Sequence, residues 1–150
     1  MVTTADKNTS TLLQISTLTQ YFLPLGNFIF PVLIWSLKKK DSDFIDQNGK
    51  QVINFQLSLL LYFMSILVVS IPFILYNVMS GVDLTISSNS EWVIEQFTAG
   101  KITTMVALSA VTILLLATLK IVEFCVIIYA AVKNSNGEVY KYPLTIKFIK

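Results

Sequence analysis

Lys120 and Glu123 stand three residues apart in a stretch, 105–132, that carries no other charge. At that spacing two side chains share one face of a helix. An ammonium and a carboxylate held together in an apolar run can do one of two things. They can form a bridge that fixes the packing of helices, or they can offer a site to a proton, an ion or a partner helix. The sequence leaves both readings open. Other chemistry has little to work with. There is no His, and Cys125 is the single Cys, set in an apolar run where it reads as a small buried hydrophobe. A metal site of Cys/His type, a disulfide framework and His-dependent catalysis are therefore excluded. No Gly-rich phosphate loop and no paired carboxylates are present, so neither an enzyme nor a cofactor is expected. Asn54 and Gln56 are polar residues at one end of another long apolar run. They lie about 200° apart around a helix and so do not form one site. With Pro24, Gly26 and Asn27 they read as helix-packing or polar contacts.

The elements that carry these residues are of membrane length. The chain has 150 residues, 54% hydrophobic and 13% charged, with a mean hydropathy of +0.67. A soluble domain carries about 25% charge. The expected fold is an all-α polytopic membrane protein with spans at about 12–37, 52–79 and 105–132. Each exceeds the roughly 20 residues that one crossing needs. Pro24 and Pro31 should kink the first span, or break it into two short half-helices that form a re-entrant hairpin. Asp46 could cap the second span. Residues 1–11 are polar and expected to be disordered, leaving 12–150 as one integral membrane domain. Between the second and third spans, Ser88 and Glu91 fit a capping box that would start a short interfacial helix. Residues 139–150 alternate Lys with apolar side chains around Pro143 and read as an extended tail.

Every basic residue is Lys. Three spans would place Lys38, Lys39, Lys40, Lys50, Lys133, Lys141, Lys147 and Lys150 on one side, and Lys7 and Lys101 on the other. The positive-inside rule then puts the 38–50 loop and the C-terminus in the cytoplasm and the N-terminus outside, in a bacterial inner membrane; a re-entrant first segment would move the N-terminus inside and leave the rest in place. These lysines set topology and meet lipid headgroups. Nucleic acid is not an expected partner, because the basic residues sit at membrane edges and include no Arg.

Pro24-Leu25-Gly26-Asn27, Trp35 before the Lys run, Asp46-x-x-Gly49-Lys50, Asn54-Phe55-Gln56 and Asn136-Gly137-Glu138-x-Tyr140-x-Tyr142-Pro143-Leu144 follow in order. Together they resemble a bacterial membrane family of unknown function described as similar to Tic20. Tic20 is the twenty-kilodalton component of the chloroplast inner-envelope protein import machinery. The resemblance runs from about residue 12 to 150. Asn48 stands where that family often has His. It implies a membrane protein linked to protein transport. The expected function is a non-enzymatic membrane subunit that acts by helix–helix contact in a larger assembly. Its partners would be the bilayer and a membrane protein or further copies of itself. The alternative is a small channel or transporter whose pathway passes Glu123.

Overall fold

A computed structural model describes residues 2–81 and 101–150. Among these the chain is helical, with no strand. The elements are α1 (Thr4–Ser16), a 3-10 helix (Thr17–Tyr21), α2 (Gly26–Lys38), α3 (Asp43–Gly81) and α4 (Lys101–Ser135). Two helices, not three, are long and apolar enough to cross a membrane: α3 and α4, over Asp43–Tyr76 and Thr103–Ser135. The expected interfacial helix falls outside the described residues.

The first expected span is the main correction. Charge-free sequence from 12 to 37 is long enough to cross, but the backbone does not run straight through it. Ser16 Oγ, Thr17 Oγ1 and Thr19 Oγ1 each donate to the carbonyl three residues back, at 2.8, 2.7 and 2.6 Å. Such local bonds compete with the α-helical ladder, and here they accompany the tightening into a 3-10 helix. A turn follows, with Leu25 in the left-handed region at φ 62°. Gly26 then lies so close to Thr19 that a Cβ would meet its backbone carbon at 2.8 Å. Only glycine allows that approach. The chain reverses into α2, whose 13 residues span about 20 Å, short of a hydrocarbon core of about 30 Å.

Within residues 1–11, where composition suggested disorder, α1 already begins at Thr4. Thr3 and Asp6 form a capping box: Asp6 N–H donates to Thr3 Oγ1 at 3.2 Å, and Thr3 N–H to Asp6 Oδ2 at 2.9 Å. Two otherwise unpaired donors are satisfied this way. At α3, Ser42 takes the capping place expected of Asp46, accepting from Phe44 N–H at 3.2 Å. The helix therefore begins at Asp43 and carries Asn48 and Gly49 inside it. α4 closes at Gly137, φ 87°, with Glu138 N–H bonded to the Lys133 carbonyl at 3.0 Å, a six-to-one closure.

The chain divides into two compact units, Met1–Leu61 with Lys120–Lys150, and Tyr62–Leu119. The core of the first is Val52, Ile53, Phe55, Ile127, Ala130 and Tyr142. Phe55 and Tyr142 stack with centroids 4.3 Å apart, and Tyr140 meets Tyr142 edge-on at 5.0 Å. The tail is thus built into the core, without regular structure of its own. In the second unit α3 and α4 leave Val68, Val69, Ile113 and Leu114 exposed.

Candidate functional site

All the sequence-nominated polar residues of the long apolar runs fall in the first unit, and they form separate clusters. Glu123 is 2% exposed, and its two oxygens are both occupied. Lys120 Nζ donates to Oε2 at 2.8 Å, and Gln20 Nε2 donates to Oε1 at 2.9 Å. Lys120 Nζ also reaches Gln20 Oε1 at 3.0 Å, which closes a triangle of three side chains. The i, i+3 spacing brings Lys120 onto the carboxylate. The 3-10 helix supplies Gln20, a partner that sequence reasoning missed. Lys120 is 48% exposed at its side chain, so the triangle has one buried acid and one accessible base. Each carboxylate oxygen thus holds one partner, one of them a charge-assisted bond.

Asn54 and Gln56 do separate, as their angular spacing required. Gln56 Oε1 accepts from Asn27 Nδ2 at 2.8 Å, tying α2 to α3. Asn54 grips the tail. Its Oδ1 accepts from the N–H groups of Phe148 and Ile149 at 3.1 and 2.8 Å, and its Nδ2 donates to the Ile149 carbonyl at 2.9 Å. Ser58 adds a fourth bond, accepting from Ile146 N–H at 2.8 Å. One amide side chain thereby satisfies backbone groups that an extended segment would otherwise leave unpaired. Pro24 lies in the turn before α2, and Gly26 makes the close approach described above.

A third cluster was not anticipated. Tyr142 donates its hydroxyl to Gln14 Oε1, and Asn134 Nδ2 donates to the Ser10 carbonyl at 3.2 Å. Gln14, Ser10 and Asn134 are fully buried. Burial pushes the Tyr142 phenol well above its ordinary pKa, with Tyr140 and then Glu123 adding to the shift. The signal available in the sequence was a polar stripe, Ser10 and Gln14 one helical turn apart, once Thr3-x-x-Asp6 is read as a helix start.

Lys38, Lys39, Lys40, Lys50 and Lys133 lie at the end of this unit that holds the 38–50 loop and the close of α4, whereas Lys147 sits in the tail segment held by Asn54 and Ser58. Three are in ion pairs: Lys38 with Asp41 at 3.0 Å, Lys50 with Asp46 at 2.6 Å and Lys133 with Glu138 at 2.5 Å. Lys39 lies over the Trp35 ring at 4.6 Å from its centroid. Trp35 Nε1 in turn donates to Asp46 at 2.9 Å. Lys40, Lys141, Lys147 and Lys150 are exposed. The beginning of α1 lies at this same end, with Lys7 beside Gly137. A full first span would have put the N-terminus at the opposite end, and a re-entrant first segment at this one. Cys125 is exposed on α4, not buried. Among the described residues no group of His, Cys, Asp and Glu could hold a metal ion.

No curated protein and no solved structure matches the chain. One family model does, over residues 5–149. It describes a family defined by crystal formation in a membrane compartment and not by an enzymatic activity. The likeness to the chloroplast import component, and the link to protein transport drawn from it, are not among the findings. The match covers nearly every element described above, from the N-terminal hairpin to the tail that Asn54 holds: the chain belongs to the magnetosome magnetite crystal formation protein family.

Proposed function

We propose that the chain is a non-enzymatic membrane protein that supports magnetite crystal formation as one component of a larger membrane assembly. The family match over residues 5–149 carries this reading. The two apolar helices supply the means of assembly. In a bilayer their exposed faces can meet lipid, another membrane protein or further copies of the chain. In our reading the lysine-rich end faces the cytoplasm of a bacterial inner membrane or of a compartment derived from it.

A conducting pathway past Glu123 has less support. Both of its oxygens are engaged by neighbouring side chains, and a group so held is not free to exchange ions or protons without breaking the triangle.

The test is a deletion strain of a magnetite-forming bacterium that carries this gene, complemented with the wild-type chain. Crystal size is measured by electron microscopy, and in-cell cross-linking precedes gentle solubilisation. The expected outcome is altered crystals in the deletion, restored by the wild type, and a cross-linked species larger than one chain. Unchanged crystals would overturn the role in crystal formation. A species of one chain only would overturn the assembly.

A further inference from the structure

We propose that the last residues of the tail, from Thr145 on, are exchanged between two copies of this chain, each copy's segment lying in the Asn54–Ser58 seat of the other. The inference rests on the assembly reading above and deepens it, by naming one contact that joins two copies.

The tail has two parts with different attachments. Up to Tyr142 it is held by side chains. Tyr142 is buried, stacks on Phe55 and bonds to Gln14. Beyond Pro143 it is held by its backbone. The N–H of Ile146 reaches Ser58, those of Phe148 and Ile149 reach Asn54, and the Ile149 carbonyl accepts from Asn54. The side chains of Ile146, Lys147 and Phe148 are exposed, and that of Ile149 packs against the core. Such a seat asks of its occupant an extended backbone and one apolar side chain in the right place. The same segment of a second copy meets that demand by identity, with every bond retained.

Leu144 stands between the two parts. Its φ is 54°, and it is 82% exposed. The left-handed region crowds Cβ against the following carbonyl oxygen, so single residues found there are mostly Gly, Asn or Asp. A leucine persists there when its surroundings hold it. Here two anchors flank it, Tyr142 in the core and the Asn54–Ser58 seat. The turn at Pro143 and Leu144 lays the segment on the chain's own α3. With Leu144 extended, the turn opens and the segment leads away from that seat. A second copy's seat can then receive it within about 17 Å, the reach of five extended residues.

An emptied seat is costly to leave open. Asn54 and Ser58 are both buried, in an otherwise apolar stretch of α3, and polar groups stripped of partners in such surroundings destabilise the fold. The segment of the other copy fills the seat. Reciprocal exchange closes on two copies and is a low-cost route to a dimer. It also relieves the backbone strain at Leu144 in each.

The experiment uses the wild-type chain. Protein made with light nitrogen and protein made with heavy nitrogen are mixed in equal amounts and unfolded together. They are refolded into vesicles of phosphatidylcholine and phosphatidylglycerol and treated with a lysine cross-linker. Lys150 follows Ile149, which sits on Asn54, and Lys50 lies one helical turn before Asn54 on α3. Mass spectrometry of the digest reports whether each Lys50–Lys150 link joins like or unlike isotopes. Exchange makes about half of these links unlike, as random pairing into dimers requires. Links of like isotopes alone overturn the proposal. If species larger than one chain form all the same, the assembly reading stands without it.

A second measurement pairs two variants that cannot seat a segment of their own. Asn54→Leu damages the seat and keeps the segment. Phe148→Pro with Ile149→Pro keeps the seat and removes two N–H groups from the segment. Alone, the Asn54→Leu chain should show fast hydrogen exchange at Phe148 and Ile149. Refolded with an excess of the proline variant, it should slow there by about an order of magnitude, with Ala130 slow throughout. Exchange that stays fast on mixing overturns the proposal.

Discussion

The two compact units of the chain solve the same problem with different means. In Met1–Leu61 with Lys120–Lys150, side chains hold the structure: the Gln20–Lys120–Glu123 triangle, the grip of Asn54 and Ser58 on the tail, and the Tyr142–Gln14 bond. Among the described residues, all the buried hydrophobic ones lie there too. In Tyr62–Leu119, Thr112 is the one buried polar side chain among the described residues, bonded to Ser70 at 3.2 Å and to the Leu108 carbonyl at 3.0 Å. Here the helical backbone satisfies itself and the apolar side chains are left for lipid or other proteins. The first unit should therefore suffer from substitutions that break internal contacts. The second should suffer mainly from those that put charge on its surface.

The largest effect is expected at the triangle. Lys120→Leu leaves Glu123 buried beside Gln20 alone. Breaking one side of a buried pair costs about 3–5 kcal/mol, and the remaining Gln20 bond points to the lower end. Lys120→Leu with Glu123→Leu should cost less than Lys120→Leu alone. Thermal stability in detergent and abundance in membranes measure both. If the single change is as stable as wild type and the double change no better, the two residues are not coupled.

Asn54→Leu comes next. It strips partners from three part-buried backbone groups of the tail, so the cost falls toward the lower end of the about 1–3 kcal/mol for buried groups left unsatisfied. Hydrogen exchange at Phe148 and Ile149 should accelerate while exchange at Thr112 stays unchanged. Slow exchange in the variant would show that the tail is held by its aromatic contacts and not by the amide.

What the sequence showed and what it hid follow the same division. α3 and α4 are legible because charge-free length is a sufficient signal for a helix that satisfies its own backbone. The first expected span failed because hydropathy counts composition, and Ser16, Thr17 and Thr19 are apolar enough by that measure. Their hydroxyls bond backward and help turn the chain. Lys120 and Glu123 could be paired because i, i+3 is local. Gln20 lies a hundred residues from Lys120, and no periodicity links them. Asp46 was misread as a cap because the sequence does not show Trp35 and Lys50 competing for its carboxylate.

A smaller effect is expected in alkali. The Tyr142 phenol has its pKa raised well above 10.0 in the folded chain. An unfolded tail would ionise near the ordinary value. The folded state then holds more protons, so its stability falls as pH rises from about 10 toward the folded pKa, and is full below that window. Tyr142→Phe should flatten this alkaline loss, as read from thermal midpoints at a series of pH values. An equally steep loss in the variant would assign it to another group.

The smallest effect belongs to the second unit. Thr112→Val removes an interhelical bond of a kind that averages about 0.6 kcal/mol in membrane proteins. A loss as large as that of Asn54→Leu would erase the contrast between the units.

The grip on the tail has a consequence for how this chain can change over time. Asn54 and Ser58 hold only amide and carbonyl groups of Ile146, Phe148 and Ile149, features that every residue but proline presents alike. The lock does not depend on the letters it closes over. Mutations that redraw the pattern of lysines and apolar side chains along the last few positions would leave the segment seated. The exposed edge of this protein is thus free to drift with the membrane it meets, while its anchorage stays under the control of two residues elsewhere in the sequence.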